Sequence, residues 1–105
     1  MEFQDGTFKS ILVTTGRKSG REHSVQLRAV SYNGRFYLSR KDPNSDWLKN
    51  ALVTPSVKIQ CQERLVSGIA SLVGDKELCK KISQMKYQDK RSEETRIVLQ
   101  VNPCE

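Results

Sequence analysis

Asn33-Gly34 stands between two runs that mix apolar with polar residues, and no other feature restricts the fold as much. A type I′ turn needs positive φ at both central positions, which Asn and Gly tolerate best, so the pair predicts a tight antiparallel hairpin. On its N-terminal side, His23 to Tyr32 sets Val25, Leu27 and Ala29 on one face and Gln26, Arg28 and Val30 on the other, the alternation of a half-buried strand. On its C-terminal side, Arg35 to Arg40 is expected to pair back.

The remaining elements follow from similar punctuation. Phe8 to Thr15 mixes β-branched and apolar residues and stops at Gly16, which predicts a strand running into a turn. Asn44 or Ser45 can cap a short helix with Trp47, Leu48, Ala51 and Leu52 at helical spacing, ended by Thr54-Pro55. Ser56 to Gln62 and Leu65 to Val73 read as a strand pair around Glu63-Arg64, with Gly68 marking a bulge. Asp75 is expected to cap a second helix with Leu78, Ile82 and Met85 on its apolar face and Lys80, Lys81 and Lys86 in water. Arg96 to Val101 is the last strand. Six mostly consecutive strands and two helices predict a mainly β protein, a small antiparallel barrel with helices outside it or across an open end.

The chain has 105 residues, room for one domain at roughly 100–200 residues each, so residues 1–105 are expected to form a single unit. Its longest apolar run is three residues, which excludes a membrane-spanning helix. Lys and Arg number eighteen against twelve Asp and Glu, and residues 1–41 hold eight of the basic groups and three of the acidic ones. An excess this local suits a compact anionic ligand better than a nucleic-acid coat, whose cations spread along an element or face. Cys61, Cys79 and Cys104 are odd in number and widely spaced, so they frame neither disulfides nor a metal site and read as reduced thiols. The N-terminal MEFQDGTFKS has no basic segment followed by an apolar stretch, and a cytoplasmic location is expected.

Chemistry concentrates in Thr14-Thr15-Gly16-Arg17-Lys18-Ser19-Gly20-Arg21-Glu22-His23. Two glycines four residues apart permit a tight turn with exposed N–H groups, and Arg17, Lys18 and Arg21 place three cations in five residues, a plausible phosphate cradle. The phosphate-binding loop pattern GxxxxGK[ST] is missing, and on spacing alone a solvated basic turn accounts for the stretch equally well. One histidine and no strong Ser or Cys nucleophile motif speak against a hydrolytic triad, so chemistry is expected from a bound cofactor.

TTGRKSG at 14–20, the strand at 25–30, NGRFYLSRK at 33–41 and DWLKNALVTPSVKIQ at 46–60 together resemble the deazaflavin-dependent nitroreductase family. That family has the flavin-reductase-like split β-barrel, of the FMN-binding or pyridoxamine-phosphate-oxidase type, and binds coenzyme F420. The resemblance implies that Thr15, Gly16, Arg17, Lys18, Ser19 and Gly20 meet the phosphate and acidic tail, that Ser39 and Arg40 stand where a family serine and lysine do, and that Trp47 lies near the deazaflavin ring. It also implies hydride transfer from reduced F420 to a small electrophile such as a quinone, a nitro compound or another conjugated system. The family's helix pattern is Trp-Tyr-x-Asn-Leu, here with Leu48 in place of the tyrosine; Gln26 replaces a common proline, and Glu22-His23 replaces a stretch that commonly ends in arginine.

Several residues carry a plainer account beside the functional one. His23 is either a general acid or a surface residue, Trp47 a ring wall or a core plug. Tyr32, Tyr37 and Tyr87 could donate protons, although alternation explains the first two, and Cys61 is expected to be buried rather than reactive. FMN is the alternative cofactor, since the segment between Ser39 and Trp47 is short for a long polyanionic tail. A non-enzymatic basic barrel binding nucleic acid or a protein partner is the alternative in another class, though few strand aromatics favour it. A homodimer is expected, because a small barrel with open edges and no N-terminal covering helix has little apolar residue to seal both a core and a cofactor cleft.

Overall fold

The computed structural model describes residues 6–40, 45–61, 63–86 and 97–104. Strands β1 (Gly6–Thr15), β2 (Glu22–Tyr32) and β3 (Arg35–Arg40) are followed by helix α1 (Asp46–Val53), strands β4 (Ser56–Cys61) and β5 (Arg64–Leu72), helix α2 (Lys76–Lys86) and strand β6 (Ile97–Pro103). The strands close into an antiparallel barrel in the order β1-β2-β3-β6-β5-β4. Asn33 and Gly34 take φ of 54° and 78°, the two positive values a type I′ turn requires, and Tyr32 pairs with Arg35 across it.

Strand alternation divides the apolar residues between two layers. Leu12, Phe36, Leu38, Ile59, Leu99 and Val101 point inward, joined by Trp47, Leu48 and Ala51 of α1, which packs into the same cluster. Val30, Tyr37 and Val98 point outward and are covered by Ile82 of α2, with Leu78 and Met85 packed alongside. One helix therefore contributes to the barrel interior and the other roofs its wall. Asp75 Oδ1 accepts the N–H groups of Glu77 (2.9 Å) and Leu78 (3.3 Å), the expected N-cap of α2. Ser45 is the N-cap residue of α1, while Asn44 lies outside the described residues.

Four expectations are corrected. Gly68 makes no bulge, for the β4–β5 and β5–β6 registers run through it without a break; a Cβ there would lie 2.6 Å from Val101 Cγ1 and 2.7 Å from the Asn102 carbonyl, so the glycine admits a close strand approach. Arg64 pairs with Cys61 within the ladder instead of forming the turn. Leu52 is 44% exposed, whereas Asn50 of the same helix is buried. Lys86 does not simply face water: its Nζ donates to Ser39 O (3.3 Å) and Oγ (3.2 Å), tying the end of α2 to β3. Lys80 and Lys81 are exposed as expected. The last strand continues to Pro103, and Arg96 and Tyr87 lie outside the described residues.

Candidate functional site

β1 pairs with β2 along its whole length, from Thr15↔Glu22 to Gly6↔Ser31, but β3 meets β2 only at Val30, Ser31 and Tyr32. The N-terminal half of β2 thus runs past the end of β3. A cavity of about 730 Å³ lies there, bordered by Arg40 at the end of β3 and by the first turns of α1. That volume is in the range of about 300–1,000 Å³ typical of small-molecule sites. Alternation points Thr14, Val25 and Leu27 into it, and α1 adds Trp47, so one wall is largely apolar. Gly16, Arg17, Lys18, Ser19 and His23 also line it.

The turn between β1 and β2 is held from within. Gly16 N donates to Arg21 O (2.7 Å), Gly20 N to Gly16 O (3.0 Å), and Arg21 N to Ser19 Oγ (3.2 Å). Gly20 has φ of 70°, a conformation that favours glycine. Arg17 N donates to Asn50 Oδ1 (3.3 Å), so four of the turn's amides already have protein acceptors. The expected cradle of exposed N–H groups is corrected accordingly: this turn offers charge from side chains more than donors from backbone.

Its two adjacent cations differ in commitment. Arg17 Nη1 donates to Asn50 Oδ1 (2.9 Å) and to Asp46 O (3.2 Å), and Nη2 lies 3.6 Å from Asp46 Oδ1. Its guanidinium fastens the turn to α1. Lys18 is exposed and lines the same cavity. Arg40 lines it too, with Nε donating to Ser45 Oγ (3.0 Å) at the start of α1.

Of the residues expected at the site, the cavity gathers Gly16, Arg17, Lys18, Ser19, Arg40 and Trp47. It does not gather Thr15, Gly20 or Ser39. Ser39 lies one residue out of step with Arg40 along β3, on the face that Lys86 of α2 touches. Trp47 is 8% exposed, belongs to the interior cluster and lines the cavity, so wall and plug are the same residue. Tyr37 is buried beneath α2 and Tyr32 packs against that layer, with Lys81 Nζ 5.9 Å from its ring centre; both are packing residues. Cys61 is buried, and burial pushes its thiol up from the ordinary value, partly offset by Arg64.

Sequence reasoning missed Asn50. It is 6% exposed, accepts from Arg17 twice, and its Nδ2 donates to Thr14 Oγ1 (3.4 Å). The asparagine of the Trp-Tyr-x-Asn-Leu helix pattern was the available signal, standing three residues after Trp47.

Residues 2–101 match the family described as F420H(2)-dependent quinone reductase. The chain belongs to that family. Its cofactor is accordingly coenzyme F420, and its class is that of F420-dependent reductases. No curated protein matches the sequence. Among solved structures, one described as F420-H2 dependent reductase FDR-A is 20% identical, with 90% of this chain and 93% of that one covered at a TM-score of 0.69. A structure described as a domain-swapped dimer is 23% identical over 90% and 79% of the two chains, TM-score 0.67. A protein from Listeria innocua, assigned by similarity as a pyridoxamine 5′-phosphate oxidase, is 15% identical over 92% and 84%, TM-score 0.69. At these identities the likeness establishes the fold, the split barrel that the family resemblance implied and an instance of the small antiparallel barrel that the element order predicted.

The residues present fit F420. A flat ring with a multiply anionic tail requires an apolar or aromatic wall beside fixed cations, and the cavity is lined by Trp47, Val25 and Leu27 and by Lys18, Arg17 and Arg40. Gly16 leaves room beside them, since a Cβ there would come within 2.6 Å of His23 Nε2 and 2.8 Å of Ser19 Oγ.

Proposed function

We propose that this chain reduces a quinone, a nitro compound or another conjugated acceptor. Reduced F420, when bound, supplies the hydride from its C5 carbon. The observation that carries this reading is the pairing, in one cavity of about 730 Å³, of an apolar wall at Trp47, Val25 and Leu27 with cations at Lys18, Arg17 and Arg40. Lys18 and Arg40 hold the anionic tail by charge, and Arg17 adds to the same field from its fixed place on α1. Gly16 and Ser19 shape the floor beneath the tail, and Trp47 orients the ring. Exposed Lys18, Ser19, Ser24 and Gln26 keep the mouth wet, so water delivers the proton that the reduced acceptor needs.

Titration of the purified protein with reduced and oxidised F420 and with FMN tests this directly. Binding of F420 in the micromolar range with weaker FMN binding is expected, followed by oxidation of reduced F420 on adding a quinone or a nitroaromatic. Absence of binding to all three at tens of micromolar would refute the enzyme reading, and tighter FMN binding would replace the cofactor.

We further propose that the protein is a cytoplasmic homodimer. Leu65 and Ile69 project from the outer face of β5 at 60% and 46% exposure, and burying them against a second copy is favourable. Cys61, Cys79 and Cys104 are all free, which suits a reducing compartment. Light scattering is expected to report twice 12.0 kDa; a strictly monomeric species at tens of micromolar with cofactor bound would count against the dimer.

A further inference from the structure

His23 lies on the inward face of β2, paired with Thr14, and lines the cavity beside the basic turn. Its ring is placed by what Gly16 lacks: Nε2 occupies space 2.6 Å from where a Cβ would stand and lies 3.5 Å from Ser19 Oγ. The imidazole therefore rests against the turn that carries Arg17 and Lys18, within the lining of the cavity.

The charges around it decide what such a ring can do. From the turn, Arg17 and Lys18 face the cavity; from β3, Arg40; from α1, Asp46, which pairs with Arg17 at 3.6 Å. Neighbouring Glu22 lies 3.4 Å from Lys58 Nζ of β4. Among the described residues, the one carboxylate in the cavity is thus engaged with Arg17, and the other groups there are cations. An anion bound among these groups favours the imidazolium form of the ring through its charge.

We propose that His23 is a cofactor-binding residue that takes up a proton as the anionic tail of F420 binds, making affinity for the cofactor depend on pH. The inference rests on the cofactor reading above and adds to it a ligand whose charge is conditional, beside Lys18 and Arg40, whose charges are permanent. The proton comes from solvent to the imidazole, and no bond in the cofactor changes. The sign follows from linkage. Anion binding favours the imidazolium, so affinity is greatest at low pH and declines as pH rises through the range in which a histidine titrates, about pH 5–8. The pair is partly solvated, so a modest effect is expected, about fivefold in Kd.

The test measures Kd for oxidised F420, by fluorescence, for the wild-type protein, His23→Gln and His23→Arg at pH 5.5 and 8.5. Comparing proteins at each pH cancels any titration of the cofactor itself. The expected result is that His23→Gln binds about fivefold more weakly than wild type at pH 5.5 and equally at pH 8.5, while His23→Arg binds more tightly than wild type at pH 8.5. A second probe, the deazaflavin ring without its phosphate and glutamate tail, is expected to bind all three proteins alike. Equal affinities of wild type and His23→Gln at pH 5.5 would overturn the inference and leave the cofactor reading intact. The same His23 dependence with the tail-less probe would also overturn it, by moving the contact to the ring. No binding of F420 by any of the three proteins would overturn both.

Discussion

Replacing Asn50 with alanine tests whether the basic turn is held in place from α1. The substitution removes the acceptor for Arg17 Nη1 at 2.9 Å and for Arg17 N at 3.3 Å, and leaves the guanidinium with Asp46 alone. A hydrogen bond from a charged donor contributes about 1.5–3 kcal/mol and a neutral one about 0.5–1.5 kcal/mol. The Arg17 side chain is 28% exposed, so water replaces part of the first contribution. The Nδ2 contact with Thr14 is long, at 3.4 Å, and adds little. A loss of about 2 kcal/mol is expected, which for a domain of this size lowers Tm by roughly 8–16 °C.

Urea unfolding followed by circular dichroism gives that number, and fluorescence of Trp47, the single tryptophan, reports on the same helix. Asn50→Asp keeps an acceptor oxygen for both Arg17 donors and is expected to cost less than half as much. The double variant with Arg17→Ala supplies the decisive comparison, because two residues that act through one contact lose less together than the sum of their separate losses. A cost for Asn50→Ala below about 0.5 kcal/mol, or strict additivity with Arg17→Ala, would refute the idea that this asparagine fastens the turn.

The other predictions separate the roles of neighbouring residues. Lys18→Ala is expected to weaken F420 binding by about 1 kcal/mol with no change in urea midpoint, whereas Arg17→Ala lowers both; equal unfolding curves for the two would remove the distinction. Gly68→Ala is expected to destabilise by about 1–3 kcal/mol, since its Cβ would meet the Asn102 carbonyl at 2.7 Å in the β5–β6 ladder, and an unchanged melting curve would show that the strands can part without cost. Cys104 is exposed and Cys61 buried, with burial holding the Cys61 thiol above its ordinary range; at pH 8 alkylation is expected at Cys104 first and at Cys61 only on unfolding, and mass spectrometry of early products decides it.

Local signals with a single physical meaning carried most of the fold. Asn33-Gly34 and its flanking alternation placed the hairpin, because few other turns accept that pair, and Asp75 placed the start of α2 through its side-chain cap. Gly68 was misread because a glycine inside a strand has two physical uses, a bulge or a close approach, and only the position of Val101 and Asn102 on the neighbouring strand chooses between them. Leu52 was misread for a similar reason, since a helix this short presents nearly every apolar residue at some helical spacing. Lys86 looked like part of a wet face until β3 supplied acceptors at Ser39, a residue 47 positions away.

The site shows the same limit at finer scale. Arg17 and Lys18 are adjacent and both cationic, and nothing local tells them apart. Their difference arises 33 residues later at Asn50, which reaches Arg17 and turns it from a ligand's partner into the turn's own anchor, leaving Lys18 exposed at the cavity. Counting charges in residues 14–23 therefore pointed to a turn that lines the cavity but treated its cations as equally free, because a cation already bound to Asn50 and Asp46 must give up those contacts before it can offer a full charge-assisted bond to anything else. His23 carries no such commitment beyond its weak 3.5 Å contact with Ser19. In this turn the lone histidine, which composition ranks last among the cations, is thus better placed than Arg17 to respond to an arriving anion.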